Sequence, residues 1–176
     1  NSLITIWVGG WEMNARVRSV IWLVTILTLS VVMAGCTGGG SADVSNEKQI
    51  RTFLKEMEVA LRSMDAEKIA GLWHYPVVIE GEEISKEDMQ AAFHLIIRDA
   101  QRYGLVIHEF RIMVSDSDIL VDSSGERAVV YNVKFYTRVS IEGEEYPGET
   151  VDGPPLELMK RGGKWKLSSL LMFLDM

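Results

Sequence analysis

Three histidines, five tyrosines and one cysteine are the side chains best able to do chemistry in this chain. His108 lies in "VIHEFRIMV", where strict alternation puts it on one strand face with Val106, Phe110, Ile112 and Val114. A histidine aimed into a pocket can serve as a general base near neutral pH. A histidine among apolar neighbours is also an ordinary core residue with a hydrogen-bond partner. His74 falls where a short helix gives way to a strand, either at a pocket mouth or as a loop cap. His94 sits on the flank of a helix, half exposed. Tyr131 lies on an apolar strand face, so a buried hydroxyl there needs a partner in a pocket, at a rim or across a subunit contact. His74, His108 and Tyr131 are therefore the catalytic candidates, and none is decisive. Asp116 and Asp118 resemble half of a calcium loop, without its glycine and distal glutamate, and read as a turn. No histidine pair or Cys/His set has zinc spacing, and no phosphate-cradling glycine loop or nucleophile elbow is present. No metal or cofactor is expected.

The single cysteine, Cys36, stands between a greasy run and "TGGGS". It permits no internal disulfide. Val20 to Ala34 carries no charge, follows Arg16 and Arg18, and is shorter than the roughly 20 residues that span a bilayer. That length suits a secretory signal core. "VMAGC", residues 32–36, resembles a bacterial lipoprotein signal, although Met33 is bulkier than the usual occupant of its place. The resemblance implies diacylglycerol on the Cys36 sulfur, cleavage before it and acylation (palmitate-type chains) of the new amino terminus. Such chains contribute about 0.8 kcal/mol per buried methylene, so two or three anchor firmly. The expected address is the bacterial cell envelope, facing away from the cytoplasm, and the outer membrane in a Gram-negative cell because Thr37 follows the cysteine. A plain cleaved signal or an uncleaved anchor is the alternative. Residues 1–12 read as an upstream extension, 13–35 as the signal, 36–45 as a flexible Gly/Ser tether and 46–176 as the folded domain.

The net charge is -7, and beyond Cys36 there are 24 acidic against 16 basic residues, about -8. This balance argues against nucleic acid as a partner, since its binding rests on Lys and Arg at phosphates.

From Asn46 the periodicity turns helical. Ile50, Phe53, Leu54, Met57, Leu61 and Met64 form a stripe, with an Asn46/Gln49 capping box at its start. Asp65 caps a short helix, Ala66 to Trp73. "YPVVIEG" reads as a short strand. A third helix, 86–103, has a Ser85/Asp88 capping box, an Ile84/Met89 staple and Gly104 at its end. Long alternating runs follow: Val106 to Val114, Val129 to Ile141, Leu156 to Lys160 and "WKLSSLLMFLD", with "RGGK" as a hairpin turn. A short piece, Ile119 to Val121, and an acidic connection, "EGEEYPGETVDGPP", lie between them. Helices gathered before strands give an α+β class. A curved antiparallel sheet wraps three N-terminal helices as a cystatin-like cone roll.

This order, from Glu47 to Asp175, is similar to the nuclear transport factor 2-like superfamily, which includes ketosteroid isomerases, scytalone dehydratase and SnoaL-like polyketide cyclases. The marks are "MDAEKIAGLW" after the first helix and the closing "LELMKRGGKWKLSSL". The resemblance implies a cone interior as the working site. Phe53, Met57, Trp73, Phe93 and His108 are pocket candidates there. So are Phe110, Tyr131, Phe135 and Trp165. Three functions remain open: a non-catalytic module holding a small apolar ligand or an envelope protein; an extracytoplasmic isomerase, dehydratase or cyclase using a His/Tyr/acid set in the cone; and a structural domain with a filled cone. A homodimer through the outer sheet face is also implied, with Lys134, Tyr136 and Arg138 opposite the acidic loop Glu142 to Glu149.

Overall fold

The computed structural model describes residues 42–79 and 81–168. Helix α1 spans Ala42–Ser63 and α2 spans Ala66–Ala70. A small hairpin, β1 (Val77–Ile79) and β2 (Glu82–Ile84), precedes α3 (Lys86–Arg102). The remainder is antiparallel strand: β3 (Val106–Met113), β4 (Ile119–Val121), β5 (Arg127–Val130), β6 (Lys134–Ile141), β7 (Glu144–Glu145), β8 (Glu149–Asp152), β9 (Leu156–Arg161) and β10 (Lys164–Leu167). A single 3-10 turn, Asp116–Asp118, joins β3 to β4.

The helix ends follow local chemistry. Asp65 accepts from the Glu67 and Lys68 amides and starts α2. Ser85 and Asp88 exchange their hydrogen bonds across the first turn of α3, so that capping box forms as expected. The Asn46/Gln49 box does not. The first helix begins at Ala42, which places Asn46 inside it, buried, with its Oδ1 accepting from Lys160 Nζ at 2.9 Å. Residues 42–45 are therefore helix, not tether. The second helix ends at Ala70 instead of Trp73, because Trp73 leaves it to bridge Leu167 in parallel. "EEI" adds a strand that periodicity did not predict. It pairs with β1 through Val77–Ile84 and Ile79–Glu82.

The sheet is bent across its middle. On one side the order is β3–β6 with β8 and β7 on the far edge of β6; on the other it is β4–β5–β9–β10. Both sides run the same chain segments in the same order. The run Val129 to Ile141, expected as one strand, breaks at Tyr131–Val133 where Asn132 takes φ +48. Asn132 Nδ2 donates to Asp118 Oδ1 at 2.8 Å, and Tyr131 N donates to Asp118 O at 2.8 Å. The neighbouring segment breaks at Gly153, whose amide donates to Val133 O at 2.7 Å. A side chain at Gly153 would collide with the Phe135 ring, so this position needs glycine. The acidic connection expected to be irregular supplies β7 and β8, because the free edge of β6 satisfies its backbone groups.

Helix α1 fills the hollow side against β3, β4 and β10. Ile50, Phe53 and Met57 from α1 join Trp73, Phe93, Phe110, Phe135, Leu156, Leu158 and Trp165 in one core. Burying each such side chain contributes roughly 1.5–3 kcal/mol. Glu58 of α1 also accepts from the Ile112 amide at 2.7 Å, which closes part of the exposed edge of β3. Residues 169–176, expected to continue the last strand, lie outside the described residues, as do the signal run and Cys36.

Candidate functional site

The cone interior is built from the inner faces of β5, β9 and β10. Ala128 and Val130, Leu156 and Leu158, and Trp165 and Leu167 are all buried there. Trp73 bridges Leu167, and Trp165 lies two residues before Leu167 on the same strand face. The two indoles are thus diagonal neighbours on one surface. Phe93 from α3 stacks on Trp73, with centroids 5.7 Å apart. The Lys160 ammonium sits 5.7 Å above the Trp165 ring while bonded to Asn46 of α1. Trp73 is 2% exposed and Trp165 4%, yet neither indole N–H has a hydrogen-bond partner among the described residues. The side-chain oxygen of Gln49 on α1 is likewise buried and unpartnered. A buried donor left unmade costs about 1–3 kcal/mol. An indole N–H does not titrate in water, so this surface can hold an acceptor atom but cannot move a proton.

Seven of the nine pocket candidates, Phe53, Met57, Trp73, Phe93, Phe110, Phe135 and Trp165, are buried in this core. The other two are not. A β-bulge between Ile107 and Glu109 makes His108 the extra residue, so alternation fails there. Ile107 packs against the core while His108 is exposed, its Nε2 2.9 Å from Ser140 Oγ. Tyr131 is half-buried at the bend, outside any strand.

The three catalytic candidates do not converge. Tyr131 precedes β6, and from Lys134 to Ser140, beside His108, six steps along that strand cover roughly 20 Å. His74 lies across the other side of the sheet, its amide bonded to Leu167 O and its Nε2 to Met159 O at 2.9 Å. A carbonyl only accepts, so His74 Nε2 holds a proton. Burial holds the His74 pKa below its usual 6.5, helped by the nearby Arg161 and Lys166 charges. His94 is exposed on α3. Asp99, on the same helix, pairs with Arg98 and Arg102 at the surface. The buried polar side chains among the described residues are Asn46 and Ser140, both hydrogen-bonded, and neither is an acid or base. Sequence reasoning passed over Tyr75. Its hydroxyl donates to Ala70 O at 2.6 Å, and burial, then Glu87, pushes its pKa up to about 12. Among the described residues no three His, Cys, Asp or Glu side chains gather as a metal site.

The outer face of the β3–β6–β8 side carries Lys134, Tyr136 and Arg138, which were expected to meet an acidic loop across a subunit boundary. Within the chain, Lys134 approaches Asp152 at 3.6 Å, and Arg138 approaches Glu109 at 3.8 Å and Glu145 at 3.9 Å. Arg111 also pairs with Glu109 and lies over the Tyr136 ring.

No protein-family model matches the sequence, and no curated protein matches it. Solved structures do. A conserved protein from Planctomyces limnophilus DSM 3776 is 18% identical, with a TM-score of 0.50 over 70% of this chain and 91% of its own. A nuclear transport factor 2-like protein of unknown function from Pseudomonas putida KT2440 is 15% identical, with a TM-score of 0.44 over 70% and 82%. A type 2 hexachlorocyclohexane dehydrochlorinase is 14% identical, with a TM-score of 0.46 over 73% and 84%. At these identities the likeness concerns the fold alone. That fold is the expected one, α+β with curved antiparallel sheet around helices, as in the nuclear transport factor 2-like cone.

Proposed function

We propose that this protein is a lipid-anchored bacterial envelope protein whose cone holds a small apolar molecule without transforming it. The observation that carries the reading is the cone wall at β10. Its surroundings are apolar apart from the Lys160–Asn46 pair over Trp165, and the N–H donors of Trp73 and Trp165 have no partner among the described residues. Such a wall favours a greasy ligand with one acceptor oxygen, and pockets of this kind use a few polar groups to fix orientation. An enzyme reading needs a base and an oxyanion donor within reach of one reacting atom. His74, His108 and Tyr131 stand apart and gather no such pair.

Native mass spectrometry on protein released gently from membranes tests the ligand. An added mass that leaves on denaturation is expected, and Trp73→Phe with Trp165→Phe should lower its occupancy while keeping the rings. Bare protein from several preparations would sink the ligand reading. Labelled palmitate incorporation, lost in Cys36→Ser, tests the anchor separately.

A further inference from the structure

The outer face of the β4–β5–β9–β10 side is basic in an acidic protein. Register and alternation place Leu120, Arg127, Val129, Glu157, Met159, Arg161, Lys164 and Lys166 on it. Four are cations and one is an acid. The ion pairs among the described residues include none of the four cations. Arg161 and Lys166 also lie close enough to His74 to act on its charge. Leu120 is 49% exposed, so a greasy side chain accompanies the charges. The β4–β5 turn at this end adds Asp122 and Glu126. The Asp122 carboxylate is occupied by Ser124 Oγ and by the Glu126 and Arg127 amides.

The chain enters the domain at the hairpin end of this face, on the inner side of the sheet. The Asn46–Lys160 bond ties the start of α1 to the end of β9, next to the Gly162–Gly163 turn. Five residues lie between Cys36 and Ala42, six Cα-to-Cα steps with a reach of about 22 Å at full extension. A domain of this size is about 36 Å across. A tether that short cannot present the opposite end of the domain to the surface in which Cys36 is anchored.

We infer that the β9–β10 hairpin, through Arg127, Arg161, Lys164 and Lys166, docks on an anionic phospholipid surface. Each Lys or Arg near such a surface favours association by about fivefold. With Glu157 on the face and Asp122 and Glu126 at its edge, one net positive charge remains, about fivefold and sensitive to salt. The docking fixes which way the cone faces. It rests on the Cys36 anchor for its geometry and on the charged face for its chemistry.

The test uses the mature lipidated protein in vesicles of phosphatidylcholine alone or mixed with phosphatidylglycerol. Amine acylation is followed residue by residue. Lys164 and Lys166 should label several-fold more slowly on the anionic vesicles, and about 0.5 M salt should erase the difference. Lys134, on the other outer face, should label equally on both. Arg161→Glu with Lys164→Glu should abolish protection of Lys166. Equal labelling of Lys164 and Lys166 on both vesicles would overturn the inference. Flotation with the neutral vesicles reports the anchor by itself. A protein that fails to float refutes the anchor, and co-sedimentation with phosphatidylglycerol vesicles then decides the face alone.

Discussion

The two outer faces of the bent sheet treat charge in opposite ways. On the β3–β6–β8 side, Arg111, Lys134 and Arg138 each have a carboxylate of the same chain beside them. On the β4–β5–β9–β10 side, Arg127, Arg161, Lys164 and Lys166 enter no ion pair with a described residue. One core lies beneath both. The net charge of -7 thus conceals a face of the opposite sign, and only strand register shows where it is. Partner arguments built on whole-chain charge address solubility better than they address surfaces.

The largest expected effects lie inside, where the two sides should behave alike. Phe135→Ala on one side and Trp165→Ala on the other should each cost about 3–5 kcal/mol in urea unfolding. Were one of them nearly neutral, the single-core account would fail. Glu58→Ala should cost about 1 kcal/mol by leaving the partly buried Ile112 amide without its acceptor. Hydrogen exchange should quicken along β3 in that variant and leave β9 unchanged. Smaller still, Glu109→Gln should cost about 0.5 kcal/mol, fading at high salt, because its ion pairs are partly exposed. Lys164→Gln should change stability by less than about 0.5 kcal/mol. A larger loss there would mean that the basic face serves folding.

The smallest effect is a pH slope. The folded pKa of His74 lies below 6.5, so the unfolded chain takes up the proton first as pH falls. The His74 contribution is complete above about 6.5 and declines as pH drops through the folded value. His74→Gln should flatten unfolding free energy over that window, and an unchanged slope would refute the assignment.

Much of this was legible in the sequence wherever chemistry is local. The Ser85/Asp88 box, the Asp65 cap and the Gly162–Gly163 turn each depend on residues a few positions apart. The cone aromatics were legible for the same reason, through helical spacing at Phe53 and Phe93 and alternation at Phe110, Phe135 and Trp165. His108 was not, since its bulge exists only because Ile107 and Glu109 face consecutive residues Val139 and Arg138 of β6. The break at Asn132 depends on Asp118, fourteen positions away, and the role of Asn46 on Lys160. The unpartnered indoles follow from what surrounds them, which no residue pattern records.

The parallel bridge between Trp73 and Leu167 joins positions 94 residues apart (167 minus 73). The entropy of closing so large a loop must be met before that contact gains anything. A chain delivered from its N-terminus cannot make the closure until its last strand arrives. A nascent chain short of Lys164 thus still lacks the strand that carries Trp165 and receives Trp73.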